Sequence, residues 1–178
     1  MVQVADPVDR RVSTVSVLLG VAAVACFVDA IAAASRLVAI AGASDAVLNA
    51  AHGASQDGAE LVASARSSTW FNGVVAIVGL LVLAGLAFAV RRRARRSRGG
   101  VVLGAAALAG VLLFGAAADR GTDATPDATQ PEALRAALEQ LTPAWYAPTH
   151  SVFVGVAVIG VIAAAIAVTR VSSIDFYR

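Results

Sequence analysis

Four stretches of about twenty apolar residues constrain most strongly how this chain can fold. They lie at 12–35, 70–90, 101–118 and 151–169, and the last three contain no ionisable side chain. The hydrocarbon core of a bilayer is about 30 Å thick and a helix rises about 1.5 Å per residue, so about twenty such residues cross it. A soluble helix would carry a polar face at helical spacing, which these stretches lack. The sequence therefore predicts an all-α integral membrane protein, a four-transmembrane-helix bundle forming one membrane domain over residues 1–178.

Composition agrees with this fold class. Hydrophobic residues make up 58% of the chain and charged residues 15%, whereas soluble domains carry about 25% charged residues. The lone cysteine, Cys26, rules out a disulfide within the chain. The basic residues are all arginine, which, with abundant alanine and valine, is typical of a GC-rich prokaryotic genome and predicts a prokaryotic cytoplasmic membrane. The first span resembles a signal peptide with a small-residue cleavage site, but we expect it to be retained.

Arginine placement predicts the orientation of the spans. Ten arginines and three acids lie on one side, a net charge of +7, and four arginines and eight acids lie on the other, a net charge of −4. Because short cytoplasmic loops of membrane proteins carry the excess of Lys and Arg, both termini are expected in the cytoplasm. Residues 43–69 and 119–149 then form the outer segments, and residues 91–100 form the inner loop.

Six arginines crowd this inner loop. Their expected role is to fix topology, and a secondary role is contact with anionic lipid headgroups, since basic residues beside a span attract them. The cluster has no interleaved aromatic residues and adjoins the bilayer, so nucleic acid is not expected as a partner. The six are Arg91, Arg92, Arg93, Arg95, Arg96 and Arg98.

Both outer segments carry helical patterns. In residues 43–69, Ser44 is expected to cap a helix, and the glycines that follow leave one helix or two short helices open. In residues 119–149, Thr129 and Glu132 have capping-box spacing. We therefore expect short amphipathic helices in the two outer loops.

The second of these helices carries a leucine stripe that needs a surface to lie on. Leu134, Leu138 and Leu141 share one face, and Arg135 can pair with Glu139 at i, i+4. Two interpretations stay open, a cap that lies on the bundle or the interface and a docking surface for a partner. The cap is favoured because amphipathic stripes are most often structural.

Aromatic residues near the span ends indicate an interfacial belt. Trp70 precedes the second span, and Trp145 and Tyr146 precede the fourth. Tryptophan and tyrosine are enriched at membrane–water interfaces, so these three are expected at the outer interface.

Two histidines are the candidate ligands for a metal or a haem. His52 and His150 both fall on the outer side and could in principle hold a metal or a haem, but we expect solvated or capping histidines and no cofactor. The serines give no basis for a hydrolase, and no glycine-rich phosphate motif occurs, so no enzyme is predicted.

Asp29 is the one acid inside a span. Its side of the helix carries Ala25, Cys26 and Arg36, and the opposite side carries bulky residues, so Asp29 is expected to face the bundle interior near the outer mouth. Arg36 shares that face two turns on, and its side chain could approach the Asp29 carboxylate directly or through water. Asp29 is interpreted either as a structural anchor or as a carboxylate that accepts a proton or a cation.

Three functions fit these features. The preferred one is a non-enzymatic structural or accessory subunit of a membrane assembly or envelope, with a protein partner or a second copy of the chain in addition to the lipid bilayer. The alternatives are a small transporter or channel component that uses Asp29 and a haem-binding redox subunit that uses the two histidines.

Overall fold

The computed structural model describes residues 7–54, 57–92, 97–120 and 126–170, and these are helical apart from short connections. Side chains at 7–11, 97–98 and 116–120 are not part of that description. The five helices, in chain order, are α1 (Pro7–Gly53), α2 (Gly58–Arg91), α3 (Ser97–Arg120), α4 (Glu132–Leu141) and α5 (Tyr146–Thr169).

Three helical segments are long and apolar enough to cross a membrane. They are Val12–Gly53 in α1, Gly58–Arg91 in α2, and Glu132–Thr169, which contains α5. The apolar part of α3, Gly99–Gly115, is shorter. The prediction of an all-helical chain compatible with a membrane is therefore confirmed, and three of the four expected spans meet the criterion of length and composition.

Residue size separates the interior of these helices from their outer surface. Buried positions are often small, as at Ala22 and Ala164, whereas Phe114, Leu81 and Ile159 are more than two-thirds exposed. Lipid tails are as apolar as a protein core, so membrane helices pack through small residues and turn large apolar side chains outward. The pattern is that of a surface made for a hydrocarbon solvent.

Four of the helices form a closed ring of contacts. α1 packs along α2 and α5, and α3 packs along α2 and α5. α5 approaches α1 closely at Gly160, where an added Cβ would lie 3.2 Å from the Ala22 Cβ and 3.3 Å from the Leu18 carbonyl oxygen. The missing side chain therefore permits the close contact of these two helices.

The expectation of short helices in residues 43–69 is wrong. Residues 43–53 continue α1, and residues 58–69 are the first turns of α2. Ser44 does not cap a helix, because it lies inside α1 and its hydroxyl donates to the Ile40 carbonyl oxygen at 2.6 Å. Asp57 is the cap instead, and its carboxylate accepts from the backbone N–H groups of Ala59 and Glu60.

Packing against α4 explains why α1 and α2 stay helical so far. The leucine stripe of α4 is fully buried, in a hydrophobic cluster with the end of α1 and the start of α2. We call this three-helix region the cap. Its core residues are Ile40, Ala43, Val47, Ala51, Leu61, Ala65, Leu134, Ala137, Leu138 and Leu141.

Of two sequence predictions about α4, the ion pair is confirmed and the capping box is not. Arg135 and Glu139 lie 3.9 Å apart as the i, i+4 spacing predicts, with both side chains substantially exposed. The capping box of Thr129 and Glu132 is wrong, because Pro131 occupies the N-cap position without a side-chain cap. The turn before it is closed by Asp127, whose carboxylate accepts from the Thr129 N–H.

Candidate functional site

Polar side chains from α1, α4 and α5 meet where the cap joins the apolar part of the molecule. Asp29 and Arg36 lie two turns apart on one face of α1, and Tyr146 and His150 lie one turn apart at the start of α5. All four are at most 5% exposed. Because α1 packs along α5, Asp29 and Arg36 each contact one of these two α5 residues.

The first of these contacts joins Asp29 to His150. The Nδ1 atom of His150 lies 2.7 Å from Oδ1 of Asp29. An ionised carboxylate only accepts, so with Asp29 ionised the Nδ1 atom carries the proton and donates it. The other ring nitrogen, Nε2, is buried and has no hydrogen-bond partner within the part of the chain that the structure describes.

The second contact joins Arg36 to Tyr146. The Arg36 guanidinium carbon lies 4.4 Å from the centre of the Tyr146 ring, a cation–π geometry. Arg36 also donates through Nη2 to the Thr142 hydroxyl at 3.3 Å, and Thr142 is the C-cap residue of α4. Arg36 therefore holds the corner between α4 and α5 against α1.

Tyr146 and His150 connect the two contacts. Their rings are parallel to within 7°, with centres 5.6 Å apart. The resulting order is Asp29, His150, Tyr146, Arg36 and Thr142, which we call the polar stack. Asp29, its one formal acid, and Arg36, its one always-charged base, are separated in this order by the two stacked aromatic rings.

Burial makes the polar stack costly to disturb. An ionised side chain moved out of water loses several kcal/mol of hydration, which only close partners offset. Removing one partner of a buried pair costs about 3–5 kcal/mol, because the other partner stays buried without compensation. We therefore expect the polar stack to favour this arrangement of α1 against α5.

The partner of Asp29 is His150, which the sequence analysis expected to be a solvated or capping histidine. Asp29 faces the interior, at 3% exposure, and its carboxylate lies against His150, while the Arg36 guanidinium lies over the Tyr146 ring. Asp29 and His150 are 121 positions apart in sequence. No local spacing indicates such a pair.

The two histidines do not form one metal or haem site. His52 is exposed in the last turn of α1, 23 residues beyond Asp29, which is about 35 Å along the helix. His150 is bonded to Asp29. No cluster of three or more His, Cys, Asp or Glu side chains that could hold a metal ion occurs among the described residues.

The aromatic residues divide into two kinds. Trp70 and Trp145 are about half exposed, as residues of an interfacial belt would be, but Tyr146 is fully buried. Placing Tyr146 in the belt was therefore wrong. Its ring lies between the His150 ring and the Arg36 guanidinium, so it serves the interior of the molecule.

The arginine run is described only at its beginning. Arg91 donates from Nε to the Ser16 hydroxyl at 3.0 Å and thereby joins α2 to α1, and Arg92 lies over the Phe88 ring at 4.3 Å. Arg93, Arg95 and Arg96 lie outside the described residues, as does the side chain of Arg98.

Sequence reasoning also missed Asn72. It is 4% exposed within α2, and its Oδ1 lies 2.8 Å from where a Cβ on Gly115 of α3 would be. The amide therefore fits against the bare backbone of α3. An asparagine inside an apolar span is a recognisable signal, because polar side chains in such spans usually face other helices.

Comparison with known proteins gives no relationship. No family model, curated protein or solved structure matches the chain.

Replacing one member of the Asp29–His150 pair should cost more than replacing both. Asp29→Leu leaves His150 buried without its acceptor, and His150→Leu leaves the carboxylate buried without its donor, so each should lower the free energy of unfolding by about 3–5 kcal/mol. The double variant should cost less than either single variant, because it leaves neither group buried without its partner. The measurement is reversible unfolding in one detergent, and His52→Leu, at an exposed histidine, should change stability by less than about 0.5 kcal/mol. If the loss of unfolding free energy in the double variant equals the sum of the two single losses, the two side chains do not interact.

Proposed function

We propose that this chain is a four-span protein of a prokaryotic cytoplasmic membrane that acts as a non-enzymatic structural or accessory component of a membrane assembly. The observation that carries the proposal is the closed polar stack, whose four charged or aromatic side chains are at most 5% exposed and join the spanning helices to the cap. A group arranged in this way holds two parts of a molecule together and offers no open surface to a substrate.

The dimensions of the helices support a fourth span and a projecting cap. α3 has 24 residues, about 36 Å of helix, which is enough for the hydrocarbon core. α1 has 47 residues, about 70 Å, and therefore extends well beyond any bilayer. The part from Arg36 to Gly53, about 25 Å long, is the part that packs with α2 and α4 in the cap.

The positions of two tryptophans support an outer membrane–water interface at the level of Arg36 and Leu37. Trp70 of α2 lines a small cavity together with Leu37 of α1. Trp145 packs edge-on against Tyr146, which contacts Arg36. Both exposed indole rings thus lie at the level of Arg36 and Leu37, where a belt at the outer interface would be. The cap beyond this level carries the excess of acidic residues, in agreement with an outer location.

The core between the polar stack and the arginine-rich end argues against transport. The cluster there consists of apolar residues of α1, α2, α3 and α5, and Ser16 is the described buried polar residue nearest the arginine-rich end. A transporter that uses Asp29 would need polar groups or water on both sides of its carboxylate.

Cysteine labelling in intact cells tests the topology. In a Cys26→Ser background, Ser67→Cys and Thr129→Cys should react with a membrane-impermeant maleimide, and Gly99→Cys should react only after the cells are opened. The three positions are exposed, so access to the reagent depends on the side of the membrane alone. Labelling of Gly99→Cys in intact cells with protection of the other two would reverse the orientation.

Photo-crosslinking tests the accessory role. A photoreactive residue at Leu48, on the cap surface, should yield an adduct of defined mass with a second protein or a second copy of this chain. The matched position is Ile77 of α2, which is similarly exposed but faces the hydrocarbon, and it should yield mainly lipid adducts. If Leu48 and further cap positions such as Glu139 give no protein adduct in cells, the accessory role is wrong even where the topology holds.

A further inference from the structure

A groove lies between α1 and α5 at the end of the molecule opposite the polar stack. Thr14 forms its α1 side, and Ala163, Ile166 and Ala167 form its α5 side, with Arg170 at its mouth. Its volume is about 430 Å³, within the range of about 300–1,000 Å³ that is typical of small-molecule sites.

The groove has a simple origin in residue size. At Gly160 the backbone of α5 lies against Ala22 and Leu18 of α1, as described above. One and two turns farther along α5, Ala163 and Ala167 carry side chains that end at Cβ. They do not fill the space beside Thr14, so the two helices leave a groove between the close contact at Gly160 and Arg170, a distance of about 15 Å along α5.

The lining combines two kinds of chemistry in a fixed order. Most of the described lining is apolar, and it also includes the Thr14 hydroxyl and the guanidinium of Arg170, the residue that follows the end of α5. A phospholipid has the same order, an acyl chain followed by a phosphate at the level of the bilayer interface. This end of the chain also carries ten arginines and three acids, which favours a headgroup with net negative charge.

We propose that this groove binds one anionic phospholipid, with its phosphate at Arg170 and Thr14 and one acyl chain against Ala163, Ile166 and Ala167. The site is separate from the arginine run of the 91–100 loop. It rests on the membrane location in the proposed function, but not on the accessory role or on what the cap binds.

Native mass spectrometry of the purified protein tests the site with phosphatidylglycerol and phosphatidylcholine of identical acyl chains. The wild-type chain should retain one phosphatidylglycerol more tightly than one phosphatidylcholine. Arg170→Gln should weaken phosphatidylglycerol binding about fivefold, the factor that corresponds to one headgroup–arginine contact, and Arg170→Lys should restore most of it. Ala163→Leu should weaken binding of both lipids, because its side chain fills the groove.

Two matched variants serve as controls. Arg92→Gln removes an exposed arginine from the same end, and it should leave the first phosphatidylglycerol bound. Ala107→Leu fills a second groove, about 280 Å³ between α2 and α3, which has apolar walls and no charged residue in its lining, and it should change neither affinity. Melting temperatures of all variants identify any loss caused by misfolding.

Three results would overturn the proposal. Equal affinity for the two lipids would remove the charge recognition. An effect of Arg92→Gln as large as that of Arg170→Gln would indicate diffuse attraction and no site. A dimer that Ala163→Leu dissociates would make a second copy the occupant. In each case the labelling pattern of the topology experiment would stand, whereas a chain that is not membrane-inserted would fail both experiments.

Discussion

The contact of Asp29 with His150 determines how α5 can begin beside α1. A carboxylate inside an apolar bundle is stable only with a close partner, because water no longer compensates its charge. His150 supplies that partner at 2.7 Å, and its position fixes Tyr146 one turn before it. Tyr146 in turn forms the surface on which Arg36 rests. The rotation and the height of α5 against α1 therefore follow from the burial of one charge.

The same residues connect the spanning helices to the cap. Arg36 contacts Thr142 at the end of α4, and the leucine stripe of α4 lies on the extension of α1 beyond it. Polar contacts give this junction its geometry, and apolar burial gives the cap its cohesion. A displacement of the cap would thus be transmitted to the rest of the molecule through α1, which runs unbroken through both regions, and through the polar stack.

Patterns of residue size and charge predicted part of this arrangement. The apolar stretches predicted the helices, and the small residues around Ala25 and Cys26 predicted that Asp29 faces inward. His150 could not be paired with Asp29 from sequence, since no periodicity relates positions on two distant helices. The continuation of α1 past Ser44 was missed because its stabilising contacts come from α4. The Asp57 cap could have been found, since Asp57 and Glu60 have the capping-box spacing.

Asp29, His150, Tyr146 and Arg36 are expected to form one ordered stack between α1 and α5. Solid-state NMR of the isotope-labelled chain in lipid bilayers measures this directly. The account predicts through-space correlations between His150 Nδ1 and the Asp29 carboxyl carbon, and between the Arg36 guanidinium carbon and the Tyr146 ring. Correlations between neighbouring turns of α1 in the same spectra serve as the internal standard. If those appear while both stack correlations are absent, the side chains do not meet and the account is wrong.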